Sequence, residues 1–84
     1  MSAAVVTLYG RPGCHLCDEA RERLEELRRM GAGFELREVD IEGEDELHRR
    51  MLELIPVVEV DGERVCELIL DEDAVLARTG TLSA

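Results

Sequence analysis

The chain has 84 residues and a formal charge of −10, with 45% hydrophobic and 36% charged residues; its aromatics are Tyr9 and Phe34 alone. That length supports one hydrophobic core, hence one domain over residues 1–84, and the composition is that of a folded chain. The acidic charge excludes nucleic-acid phosphates and anionic membrane surfaces as partners, and no apolar run nears the roughly 20 residues that span a bilayer.

The opening residues lack a basic stretch ahead of an apolar one, so no signal peptide is expected and the chain reads as cytoplasmic. Thiols stay reduced there, so the three cysteines call for a reason other than a structural staple.

Ala4 to Tyr9 is apolar apart from Thr7 and ends at Gly10, which predicts a strand buried on both faces. From Cys14 to about Met30 the period becomes helical. Cys17, Ala20, Leu24 and Leu27 form one stripe, and the opposite face is charged, with Glu19–Arg23 and Glu25–Arg29 at i,i+4 spacing. Gly31 supplies the stop. Phe34 to Val39 alternates as a half-buried strand, and Asp40–Gly43 reads as a polar turn. A second helix is expected over Glu44–Leu54, with Leu47, Met51, Leu54 and Ile55 inward and Pro56 ending it. Val57–Val60, Asp61-Gly62 and Glu63–Ile69 read as a hairpin with a type I′ turn. Asp71 is placed to cap a last helix through Arg78, with Val75 and Leu76 inward and Gly80 at its end. The order βαβα then ββα predicts an α/β fold with a mixed four-stranded sheet and helices on both faces.

The chemistry concentrates in Arg11-Pro12-Gly13-Cys14-His15-Leu16-Cys17. This segment follows a strand and enters the first turn of a helix, where unpaired backbone N–H groups stabilise a thiolate. Two cysteines three apart close a small ring, so they can alternate between dithiol and disulfide. Cys14 sits at the helix mouth and is read as the attacking sulfur; Cys17, one turn in on the apolar stripe, is read as the resolving one. Arg11 and a protonated His15 can each favour a thiolate at Cys14.

Other readings stand beside these. The cysteines can be packing residues, or Cys14, Cys17, Cys66 and a histidine can ligate zinc. Cys66 reads as a packing residue of the last strand, Tyr9 as strand-end packing and His48 as a surface residue. His15 and Arg11 can equally be solvated.

The strand before the motif, the Cys14-His15-Leu16-Cys17 spacing, Ile55-Pro56-Val57-Val58 and the Asp61-Gly62 hairpin resemble the glutaredoxin-like branch of the thioredoxin fold. The likeness runs over residues 4–79. It implies a thioredoxin-like βαβαββα fold and a thiol–disulfide oxidoreductase that reduces disulfides. It also implies a cis bond before Pro56, which lies beside the motif, and a backbone at Ile55 that pairs with substrate. Arg11 matches the family's basic residue ahead of the first cysteine. His15-Leu16 stands where glutaredoxins carry Pro-Tyr, and Leu68-Ile69-Leu70-Asp71-Glu72-Asp73 stands where a Gly-Gly-x-Asp segment would hold glutathione. No bound cofactor is expected. The electron donor is glutathione or a thioredoxin-reductase-type system, the partner is a disulfide-containing protein or small thiol, and the chain acts as a monomer. The competing class is a non-catalytic adaptor of the same fold, holding metal through its cysteines.

Overall fold

The computed structural model describes residues 4–79. Its elements are β1 (Ala4–Gly10), α1 (His15–Arg29), β2 (Phe34–Asp40), a 3₁₀ turn (Ile41–Gly43), α2 (Asp45–Met51), β3 (Val57–Val60), β4 (Glu63–Glu67) and α3 (Glu72–Thr79). The sheet has four strands in the order β2-β1-β3-β4. β1 pairs parallel with β2 from Ala4↔Phe34 to Gly10↔Asp40, and antiparallel with β3 from Val6↔Val60 to Tyr9↔Val57. The mixed α/β architecture read from the sequence is therefore present.

α1 forms where the apolar stripe predicts it. Cys17, Ala20, Leu24 and Leu27 are all buried, and each leucine so placed contributes about 1.5–3 kcal/mol over an exposed one. The helix closes by a Schellman motif. Gly31 takes φ +108, its N–H donates to the Arg28 carbonyl, and the Ala32 N–H donates to the Leu27 carbonyl. α1 and α3 pack on one sheet face, where Leu24, Leu27 and Val75 meet Val6, Leu8, Val58 and Val60. A smaller cluster contains Cys17, Ile41, Met51, Ile55 and Val57, with Tyr9, Cys14, Leu47 and Leu54 packed against it.

The structure corrects several sequence expectations. β1 is fully buried at Val6 and Leu8 only; Val5, Thr7 and Tyr9 are half-buried. The second face is incompletely covered because α2 is short, ending at Met51 and passing through a turn at Leu52–Leu54 instead of running from Glu44 to Leu54. The expected polar turn is a 3₁₀ turn. Asp40 caps it by accepting from the Glu42 N–H at 2.8 Å, and Ile41 is completely buried. His48 is half-buried on α2 rather than at the open surface. Arg23 does not pair with Glu19. It donates to Glu72 of α3 at 2.7 Å and pairs with Glu26, tying two helices together.

The hairpin turn has φ 51 at Asp61 and φ 85 at Gly62, the positive pair that a type I′ turn requires. Asp61 also binds β1, since its N–H donates to the Val5 carbonyl at 2.8 Å and its carboxylate accepts from the Val5 N–H at 2.9 Å. The pairing slips between Val58↔Cys66 and Glu59↔Arg64, leaving Val65 as a bulge. β4 ends at Glu67 rather than Ile69 because Leu68 takes φ +69. The Leu68 N–H is shared between the Leu54 carbonyl at 3.0 Å and the Pro56 carbonyl at 2.9 Å. Asp71 caps α3 as expected, accepting from the Ala74 N–H at 3.1 Å. Gly80, the expected helix stop, lies outside the described residues. Among the described residues no helix is long and apolar enough to cross a membrane.

Candidate redox site

The site lies where β1 ends and α1 begins. Arg11 to Cys14 make a tight turn in which the Cys14 N–H donates to the Arg11 carbonyl at 3.2 Å. Pro12 and Gly13 occupy its central positions, and Gly13 takes φ +81, the arrangement of a type II turn. The turn delivers Cys14 to the N-cap of α1 in an extended conformation. Its sulfur accepts from the Cys17 N–H at 3.2 Å, as a serine or aspartate oxygen does at other helix starts.

Cys14 and Cys17 are joined as a disulfide, with Cα atoms 5.2 Å apart. Their environments differ. Cys14 is partly buried at the surface, whereas Cys17 is 5% exposed within the smaller apolar cluster. Solvent and any large partner therefore reach Cys14 first. The Cys17 N–H donated to the outer sulfur, together with the positive end of the α1 dipole, favours negative charge on it.

Gly10, which by pattern alone is a strand end, is a site residue. A Cβ there would stand 3.0 Å from the Cys17 Cβ and 3.1 Å from its sulfur, closer than side-chain atoms normally approach. The absent side chain is what lets α1 seat Cys17 against β1. Nothing local in the sequence signals this, because the contact spans the β1–α1 turn.

Ile55 is buried in the same cluster as Cys17, and Cys14 packs against that cluster. The Ile55–Pro56 bond is cis, and Pro56 is fully buried. The Ile55 N–H already donates to the Met51 carbonyl at 3.0 Å, so backbone pairing by Ile55 is left to its carbonyl. Arg11 is exposed and lies 3.7 Å from Glu42, a loose pair that holds its guanidinium toward the 3₁₀ turn. Beside Cys17, Gly10, Arg11, Pro12, Arg21 and Asp40 line a cleft of about 290 Å³. His15 points to solvent at 86% exposure, 3.9 Å from Glu19. Any effect of His15 on Cys14 is through its charge alone.

Two titratable groups near the smaller cluster or behind the sheet are shifted. Burial raises the Tyr9 pKa, reinforced by its hydroxyl donating to Glu59 at 2.9 Å. Burial likewise pushes the Cys66 thiol up, partly offset by a hydrogen bond from the Asp71 backbone. Cys66 is half-buried on β4 and is not in the disulfide. Among the described residues no three His, Cys, Asp or Glu side chains gather as metal ligands, so the two cysteines find no third partner for the zinc arrangement considered above.

The family model described as Glutaredoxin-like domain (DUF836) matches residues 5–78. Protein Ne2328 from Nitrosomonas europaea, solved in solution, is 30% identical with a TM-score of 0.82, the match covering 95% of each chain. A single-site mutant of the thioredoxin from Halobacterium salinarum is 20% identical with a TM-score of 0.66, over 98% of this chain and 80% of that one. The oxidised thioredoxin from Plasmodium falciparum is 18% identical with a TM-score of 0.59, over 90% and 77%. No curated protein matches the chain significantly. A cysteine pair split between helix mouth and core, a cis proline beside it, and a family match over nearly the whole length agree: the chain belongs to the glutaredoxin-like domain family of the thioredoxin fold.

Proposed function

We propose that the protein is a thiol–disulfide oxidoreductase in which Cys14 attacks and Cys17 resolves. The observation that carries this reading is the asymmetry of the pair: one sulfur partly open to solvent at a helix N-cap, bonded to one buried behind it. In the reduced state the Cys14 thiolate attacks a substrate disulfide and expels one thiolate, leaving a mixed disulfide. Cys17, deprotonated, then attacks the Cys14 sulfur, expels the second substrate thiolate and restores the Cys14–Cys17 bond. Two electrons pass to the substrate, whose thiolates take up two protons. An external thiol donor, glutathione or a thioredoxin-reductase-type dithiol system, re-reduces the pair, and no bound cofactor is required. In this reading Ile55, which shares an apolar cluster with Cys17, pairs with substrate through its carbonyl next to the cis Pro56, and Arg11 pairs with the substrate or the thiolate. We place the protein in the cytoplasm, acting as a monomer on disulfide-containing substrates.

The test is reduction of hydroxyethyl disulfide or insulin with dithiothreitol as donor, in the wild type, C14S and C17S. The wild type is expected to turn over, C14S to be inactive, and C17S to accumulate a mixed disulfide visible by mass spectrometry. Turnover by C14S equal to the wild type, or trapping on Cys17 instead, would overturn the assignment.

A further inference from the structure

Next to the cysteine pair, the surface offers apolar side chains where the family's glutathione segment would stand. Leu16 is 51% exposed between the two cysteines, Leu68 is 47% exposed and Ile69 77%. These three, with Leu70 and Ala20, line one groove, edged by Glu19, Arg23 and Glu72. The groove is attached to the reacting end of the molecule, because the Leu68 N–H is bound by the carbonyls of Leu54 and Pro56.

Leu68 makes the arrangement more than incidental exposure. Its φ of +69 lies in the left-handed region, which a branched side chain enters unwillingly and glycine enters freely. A side chain held there and left half in water gains little for the fold. Carboxylates outnumber cations around the groove: its one arginine, Arg23, is shared by Glu72 and Glu26, and Glu19 stands on the same rim. Past Ile69 stand Asp73, Asp71, which also caps α3, and Glu67, which pairs with Arg64 at 3.1 Å, so the rim stays net acidic. Two copies of this chain meeting here would bring like charges together, and a carboxylate-rich thiol such as glutathione would be repelled.

We propose that the Leu16–Leu68–Ile69 groove seats a cationic, apolar peptide segment flanking the cysteine of a protein disulfide. It selects such substrates over anionic small thiols. This rests on the redox reading above and names its substrate class. Leucine or a similar side chain next to the substrate cysteine would lie on Ile69 and Leu68, and arginine or lysine would meet the acidic rim. The chemistry is unchanged: the peptide disulfide takes two electrons and two protons from the Cys14–Cys17 dithiol, and dithiothreitol restores it.

Binding and turnover are measured separately on the full chain. Binding is read by fluorescence anisotropy of a labelled peptide carrying leucine and arginine beside a serine in place of cysteine, against oxidised protein. Versions with serine for leucine, and with glutamate for arginine, are each expected to bind at least about fivefold more weakly, and Ile69→Ser is expected to weaken the parent peptide by a similar factor. In turnover, Ile69→Ser should lower the ratio of peptide-disulfide to hydroxyethyl-disulfide reduction, and raised salt should erode the arginine preference. Leu68→Gly should lower the same ratio while melting no earlier than wild type. Equal binding of the three peptides, or a ratio unmoved by Ile69→Ser and Leu68→Gly, overturns the groove proposal while leaving the redox reading intact. Failure to reduce hydroxyethyl disulfide, with the peptide preference retained, overturns the redox reading and leaves the groove. A concentration-dependent dimer dissolved by Ile69→Ser would show a second copy as occupant and overturn the peptide proposal.

Discussion

Cys14 has a structural duty apart from its chemistry, and the two can be separated. Its sulfur accepts from the Cys17 N–H at 3.2 Å, which satisfies one of the unpaired donors at the start of α1. In C14S the hydroxyl oxygen can take over that bond; in C14A nothing can. Both variants lose the ring closed by the disulfide, which spans a sequence separation of 3 and constrains the unfolded chain by about 2 kcal/mol in the loop-entropy account. That loss cancels between them, leaving the cap alone. Replacing an N-cap acceptor by alanine costs about 1 kcal/mol, which for a chain of this size shifts the melting midpoint by about 4–8 °C. Both variants should be inactive, C14A should melt below C14S by that interval, and the Cys17 amide should exchange faster in C14A. Equal melting with equal Cys17 exchange would refute the capping argument.

The remaining predictions concern packing and charge. Gly10→Ala forces a methyl against the Cys17 Cβ and sulfur; overpacking of this kind costs about 1–3 kcal/mol, to be read by urea denaturation of the oxidised protein. Val75 is completely buried between α3 and the sheet, so Val75→Ala should lose about 1.5–3 kcal/mol in the same assay. Arg23→Ala should leave the melting midpoint near wild type, because that ion pair is open to water. For Cys66 the raised thiol pKa means that its stability contribution is fully present below the unfolded value, about pH 8.5, and is lost as pH climbs through the higher folded value. Cys66→Ser should flatten that alkaline decline, and Cys66 should be alkylated more slowly than Cys14 in reduced protein at pH 7.

What the sequence made legible is what local rules govern. The Cys17–Leu27 stripe, the Asp61-Gly62 turn, the Asp71 cap and the position of Cys14 at a helix mouth all follow from spacing or single-residue conformational preference. The cis bond at Pro56 follows from the family resemblance, since residue physics alone favours trans. Contacts between distant segments were hidden. Ile41 is a single apolar residue in a polar run, and its complete burial depends on where α2 and β3 arrive. Arg23 had an acceptable partner one turn away and took Glu72 from another helix instead. Gly10 mattered through its approach to Cys17, and Leu68 adopted a conformation that composition assigns to glycine. In each case tertiary structure chose among options that the local sequence left open.

α1 is held at two places by different neighbours. Ala20, Leu24 and Leu27 belong to the larger cluster, whereas Cys17 leans on Ile41, Met51, Ile55 and Val57. On the proposed redox reading, the sulfur bond that opens and closes belongs to the smaller seat, while Ala20, Leu24 and Leu27 are held by the other cluster. A helix anchored in this divided way keeps most of its length fastened at a distance from the sulfurs, which is the property the proposed cycling calls for.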